Sequence, residues 1–238
     1  NKSIIVAHYG YIASYDLNTT NLLWQLSLKK KVVSTRVWSG ISYDNNLNIV
    51  YISTSNPVEF IGTNIGDGEY SCSLIAIDGS TGKILWQFQD TEHDVWDFDV
   101  VGPPLLTKIK VNAKTIPVVI ALSKTGNILM VNRKSGKPIF DYSYQLIDSG
   151  DFPNHQTSKK QKKFTLPEPI SSINFNMKND VTKLSKEQED YVRHKIRNAK
   201  GGNYPPSSLK NDVVLFGING GPEWPGGSID NKNRLVIP

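Results

Sequence analysis

His93, Asp94, Asp97 and Asp99 crowd around Trp96 in the segment TEHDVWDFDVVGPPLL (residues 91–106), which closes on Pro103 and Pro104. Carboxylates this close to aromatic residues are costly to desolvate without a partner, so the pattern points to a bound metal or a catalytic base. A hydrolase built on Asp94 and Asp97 as paired carboxylates is the weaker reading. Strand neighbours point to opposite faces, and a spacing of three does not restore convergence. A histidine metal site is weaker still, because His8, His93, His155 and His194 are scattered with no ligand-like spacing. His93 is expected to orient its own loop.

The acidic segment directly follows AIDGSTGKILWQFQ (residues 76–89), which reads as a strand, a tight turn and a returning strand. That unit recurs. Asp16…Thr19…Trp24, Asp78…Thr81-Gly82…Trp86 and Asn132…Ser135-Gly136…Phe140 share the same offsets. The Asp or Asn can bond the turn amides, Gly supplies an open backbone, and the aromatic residue returns on the next strand. Trp24 and Trp86 lie 62 residues apart, and 54 separate Trp86 from Phe140. One four-stranded blade plus a variable loop fits such a period, so the fold class is all-β, a β-propeller of four-stranded antiparallel blades. The carboxylates then sit on a loop leaving a rigid blade.

At 238 residues only about four such units fit, whereas a propeller closes when its last blade meets its first. The chain starts on Asn1 and stops within the apolar run Arg234–Pro238. It is therefore expected to be an internal fragment of a longer propeller, residues 1–238 forming one partial domain of it. Its N-terminus then carries no information about a signal peptide. No stretch is long and apolar enough to span a membrane. The formal net charge of +5 is modest. Its basic runs, Lys29–Lys31 and Lys159-Lys160 through Lys162-Lys163, read as solvated loop lysines, and without interleaved aromatics they give no nucleic-acid face. The single cysteine, Cys72, excludes an internal disulfide or a Cys-based zinc site within this segment and reads as a small buried residue.

Residues 149–203 break the β rhythm. Pro, Lys, Ser and Asn dominate 149–180, with apolar residues too sparse for a strand pattern. Ser185…Gln188 has the form of a capping box, opening a helix from 185 to about Ala199 that ends at Gly201-Gly202. Leu184, Val192, Ile196 and Ala199 would form a narrow apolar stripe. The segment is expected to be an excursion over one propeller face.

Five stretches, in order, resemble the pyrroloquinoline-quinone (PQQ)-dependent dehydrogenases, eight-bladed propellers that oxidise alcohols or sugars. They are Val37-Trp38-Ser39-Gly40 with Tyr43-Asp44; Ser53-Thr54-Ser55-Asn56-Pro57; His93–Asp97; Ser123-Lys124-Thr125-Gly126-Asn127 leading to Val131-Asn132-Arg133; and Gly220–Gly227. The resemblance implies that Trp38 carries the planar quinone on its indole, Asn56 gives an amide oxygen to the metal, and Asp97 takes the hydroxyl proton as hydride leaves the substrate. It also implies that Lys124 contacts the quinone oxygens, as in sugar-oxidising members, tilting the substrate towards sugars or polyols. Glu223 stands where many members carry Asn, next to Trp224, and both are expected at the cofactor. A blade-core Trp, a turn-forming Asn, an amide-capping Asp and a surface Lys are the alternative roles for Trp38, Asn56, Asp97 and Lys124.

Asp99, two residues after Asp97 in a stretch expected to be extended, would project to the same side. Members using a lanthanide place an added Asp at this offset, as do some calcium-type sugar dehydrogenases. Calcium is favoured here, with a lanthanide the alternative. The glutamate that many members supply from upstream has no counterpart in residues 3–10. A periplasmic or periplasm-facing setting and an acceptor such as a cytochrome or ubiquinone follow from the resemblance. A non-catalytic propeller acting as an envelope-assembly scaffold is the alternative.

Overall fold

The computed structural model describes residues 2–8, 10–30, 33–57, 68–148, 150–151, 157–216, 221–232 and 234–237. His155, Gly220 and the terminal Asn1 and Pro238 lie outside the described residues. Four antiparallel meanders follow one another along the chain. The first joins β1 (Ser3–His8), β2 (Tyr11–Asp16) and β3 (Leu22–Ser27), and is followed by a short pair, β4 (Lys29–Lys30) and β5 (Val33–Ser34). The second is a complete four-stranded blade of β6 (Ile41–Asp44), β7 (Ile49–Ser53), β8 (Ser73–Asp78) and β9 (Ile84–Gln89). The third comprises β10 (Val100–Val111), β11 (Lys114–Ser123) and β12 (Ile128–Asn132), with an antiparallel bridge from Val131 to Pro138 beginning a fourth edge. The fourth pairs β13 (Tyr142–Leu146) with β14 (Lys160–Phe164). Helix α1 (Lys186–Ile196) and the pair β15 (Ser228–Ile229) and β16 (Leu235–Val236) complete the chain.

The second blade is buried on both faces, which is why β7 reads IVYIS rather than alternating with polar residues. Val50, Ile52, Ile75 and Ile77 pack against Ile12, Trp24 and Leu28 of the first meander. Ile49, Tyr51, Leu74 and Ala76, on the opposite pleat, pack against Val100, Val119, Ala121 and Val131 of the third. Stacked sheets of this kind are the core of a propeller.

The repeated turn works as its residue types predict. Asp78 Oδ1 accepts the amides of Ser80 and Thr81, Asp16 Oδ1 those of Asn18 and Thr19, and Asn132 Oδ1 those of Lys134 and Ser135. The aromatic residue joins one blade to the next. Trp24 Nε1 donates to Gly79 O at 2.9 Å, and Trp86 Nε1 donates to Arg133 O at 3.0 Å. Gly82 and Gly136 have positive φ, and a β-carbon on them would stand 2.5 Å from Trp24 Cε3 and 2.6 Å from Trp86 Cδ2. The glycine thus serves both turn and seam. In the first unit Thr20 takes this place at φ 58°, and Phe140 in the third has no indole N–H to donate.

Two expectations for the excursion are corrected. Residues 149–180 contain a strand, β14, two of whose polar side chains are satisfied internally. Gln161 is buried and clamps the backbone of Glu92 through both amide atoms, and Lys162 Nζ meets Glu92 Oε1 at 2.8 Å. Lys162 is therefore buried, not a solvated loop lysine. The helix starts as expected, with Ser185 Oγ accepting Gln188 N, but it ends at Ile196. None of its residues is fully buried; of the expected stripe, Val192, Ile196 and Ala199 are half-buried and Leu184 is strongly exposed. Arg193 ties it down, donating to Glu189 Oε1 and to the carbonyls of Met177 and Lys178.

Candidate active site

Three connections leaving the second and third blades meet at one point. The β7 exit brings Asn56, the β9 exit brings Asp97 and Asp99, and the β11 exit brings Lys124. Thr35 Oγ1 donates to Ser55 O and Arg36 N donates to Ser55 Oγ, coupling the Asn56 segment to the one that leads into Trp38. Val100 N donates to Thr54 O, so the β9 exit lies against the same segment.

The loop carrying Asp97 is shaped by Asp94. This buried carboxylate accepts the amides of Trp96, Asp97 and Phe98, each at 3.1 Å. Burial pushes its carboxyl up to about 7, while the amides of Trp96 and Phe98 pull the other way. Asp97 adopts φ 71°, so the stretch is not extended as expected. Asp97 and Asp99 converge all the same. Lys124 Nζ lies 3.0 Å from Asp97 Oδ2 and 3.6 Å from Asp99 Oδ2, with side-chain exposures of 7%, 17% and 6% respectively. Asp99 Oδ1 also accepts the backbone amide of Asn56.

Burial raises the Asp99 carboxyl to about 6, against the pull of the Asn56 amide and Lys124. Burial lowers the Lys124 ammonium, but Asp99 and Asp97 more than offset this and leave it above its ordinary value. Lys124 Nζ stands 6.0 Å from the centroid of the Trp38 ring. Trp38 is 42% exposed. Trp96, by contrast, is a core residue: it stacks on Phe98, meets Tyr204 edge-on and donates to Pro205 O.

Glu223 Oε1 is buried with no hydrogen-bond partner among the described residues, and its charge is felt by Lys124. Trp224, the next residue, is 64% exposed and stacks on no aromatic ring among the described residues. The Asn56 side chain donates to Pro57 O. Among the described residues no group of three or more His, Cys, Asp or Glu side chains could hold a metal ion. Asp97 and Asp99 with the Asn56 amide are nevertheless an all-oxygen donor set, suited to a hard cation. With an exposed indole, a buried ammonium and an orphaned Glu223 oxygen, the residues present fit a planar anionic cofactor beside such a cation.

Asp90 was not singled out by the sequence. Fully buried at the end of β9, it accepts Ser123 Oγ at 2.6 Å, Thr125 Oγ1 at 2.9 Å and Asn127 Nδ2 at 2.8 Å. The alternating hydroxyl, hydroxyl and amide of S-K-T-G-N were the available signal.

A family model described as "PQQ: Glucose/ethanol/alcohol dehydrogenase, beta-propeller domain" matches residues 10–238. The chain is 30% identical over 256 residues to quinoprotein glucose dehydrogenase A of Acinetobacter calcoaceticus, covering 96% of this chain and 31% of that protein. It is 28% identical over 252 residues to the quinoprotein glucose dehydrogenase of Escherichia coli K12, covering 96% and 30%. Its fold matches the crystal structure of quinohemoprotein alcohol dehydrogenase from Comamonas testosteroni with a TM-score of 0.52 and 24% identity, covering 58% of this chain and 26% of that one. A europium-containing methanol dehydrogenase matches with a TM-score of 0.51 at 23% identity, covering 60% and 33%. The chain thus spans under a third of the length of the two glucose dehydrogenases it matches.

Proposed function

The chain belongs to the PQQ family of glucose, ethanol and alcohol dehydrogenase β-propellers, and from that premise we propose that it supplies the base and much of the cofactor site of a quinoprotein dehydrogenase. The complete protein would be a longer, eight-bladed propeller that oxidises a hydroxyl group of a small alcohol or sugar. The observation that carries this reading is the convergence of Asp97 and Asp99 on Lys124, whose ammonium stands 6.0 Å from the ring of the exposed Trp38.

Pyrroloquinoline quinone, which these residues fit, would supply a hydride acceptor, and calcium, or a lanthanide, a Lewis acid. Trp38 would support the ring plane, and Lys124 would place positive charge where reduction builds negative charge. Glu223 would lie at the cofactor's edge, with Trp224 beside it. Asn56, Asp97 and Asp99 would present oxygen to the metal. Asp97 Oδ1 carries no hydrogen bond among the described residues, while Oδ2 is held by Lys124, so Oδ1 is the atom to take the hydroxyl proton. Phe98 and Trp96 pack behind the loop with Val95, Ile173 and Tyr204 and hold it in place.

Electrons would leave to an acceptor such as a cytochrome or ubiquinone, in or facing the periplasm; family membership supports both. Among the described residues no helix is long and apolar enough to cross a membrane. The test is reconstitution of the full-length protein with the quinone and calcium, followed by dye-linked oxidation of alcohols and aldoses. Quinone-dependent turnover supports the reading. No turnover with calcium or a lanthanide, together with no quinone binding, would overturn it.

A further inference from the structure

We propose that Asp90 is a positioning residue, whose buried carboxylate sets where the Lys124 ammonium stands relative to Asp97. The catalytic part of this inference rests on the function proposed above; the positional part stands on the structure alone.

Asp90 has no exposed surface. Its backbone amide donates to Cys72 O, which fixes it at the β9 exit just before the loop that carries Asp97 and Asp99. Its side chain reaches across to the β11 exit. Oδ2 accepts Ser123 Oγ and Thr125 Oγ1, and Oδ1 accepts Asn127 Nδ2. Ser123 Oγ and Thr125 Oγ1 are also 2.7 Å apart, so the three side chains form one connected network. Every second residue of 123–127 is therefore tied to one carboxylate.

Lys124 lies between two of these tethered residues. Its backbone amide donates to Asp99 O, and its Nζ is left to meet Asp97 and Asp99. One buried carboxylate thus joins the segment bearing the base to the segment bearing the ammonium. Burying a carboxylate is strongly unfavourable unless donors surround it, so a purely space-filling role would be met more readily by an apolar residue. Burial does raise the Asp90 carboxyl, and the Ser123, Asn127 and Thr125 donors oppose that rise.

The test compares Asp90→Asn, Asp90→Ala, Lys124→Ala and the double variant in the full-length protein. Asn can keep one oxygen towards Asn127 and turn its NH2 to the two hydroxyls, which can accept. Asp90→Asn should stay within about threefold of wild type, whereas Asp90→Ala should lower kcat at least about tenfold with KM changing less than about threefold. In the Lys124→Ala background the same Asp90→Ala change should alter kcat less than about twofold, because residues acting through one another are not additive. Equal losses in both backgrounds would overturn the proposal.

A second readout needs no cofactor. In the apo-protein, amine acylation of Lys124 followed by mass spectrometry should accelerate at least about fivefold in Asp90→Ala relative to exposed Lys186, as the tether that keeps Lys124 buried is lost. Unchanged labelling would overturn the positional role, even if no dehydrogenase activity is ever found. Thr125→Val removes one donor and keeps the side-chain shape. Should Asp90→Ala fail to fold, Thr125→Val is expected to show the same two effects at smaller size, and their absence counts against the proposal.

Discussion

The amide of Asp97 donates to Asp94 Oδ2 at 3.1 Å, and Asp97 itself stands at φ 71°. Asp94 is thus the residue that turns the loop, and Asp97 the residue that the turn presents. Two carboxylates three apart, which look like a pair for acid–base chemistry, divide into one that builds and one that faces the site. Asp94→Ala would strand three amides, two of them buried, so stability should fall by about 3 kcal/mol, roughly 1 for each lost bond. Chemical denaturation of the full-length protein, with an unchanged m-value, would measure this.

Asp97→Asn should lower turnover at least about a hundredfold, the low end for general-base catalysis. Quinone affinity should weaken far less, because Trp38 and Lys124 are unaltered. Single-turnover kinetics on reconstituted enzyme separate the two. Near-normal turnover would remove Asp97 from the mechanism.

Asp99 has one oxygen on the Asn56 amide and the other 3.6 Å from Lys124. Asp99→Ala should spare calcium-supported activity and abolish any lanthanide-supported activity, since the higher charge demands more anionic oxygen. Activity of the apo-enzyme titrated with each metal decides this.

Stability should also depend on pH through Asp90. Its folded carboxyl is raised above the ordinary 3.8, so between that value and its folded one the native state holds a proton that the unfolded chain has released. The contribution is therefore fully present at low pH and declines as pH rises through this window. Asp90→Asn cannot titrate, so the melting temperature of wild type minus that of the variant should fall from about pH 4 upward. A flat difference would contradict the assignment.

Gly136→Ala places a methyl group 2.6 Å from Trp86 Cδ2 at a backbone φ of 68°. A loss of about 1–3 kcal/mol is expected from clash and backbone strain together. Trp86→Phe should lose about 1 kcal/mol with its bond to Arg133 O. Thermal unfolding of both variants provides the comparison.

The blades were legible because their signals are local: Asp78 and Thr81 must stand three apart for one side chain to reach the turn amides. Ser185 and Gln188 mark the helix start for the same reason. β14 was not legible, because Gln161 and Lys162 are polar residues whose partner, Glu92, lies about seventy positions away. The helix stripe was legible in part: Val192, Ile196 and Ala199 are half-buried but Leu184 is exposed, because spacing records which residues share a face but not how far it is covered. At the site, residue types marked Trp38, Asn56, Asp97 and Lys124 as candidates. The positive φ of Asp97 and the reach of Asp90 across two loops arise only from tertiary packing.

Trp24 and Trp86 each belong to one blade and close upon the turn of the next, while Gly82 and Gly136 offer the surface that receives them. Every such repeat carries a plug for its successor and a socket for its predecessor, so a duplicated blade arrives with both halves of its joints. Thr20 and Phe140 mark where that interchangeability stops. A Trp docked as on Gly82 would strike the Thr20 side chain, and Phe140 brings a plug without its N–H. Blades transplanted among positions should therefore be accepted at the Trp–Gly seams and refused at these two.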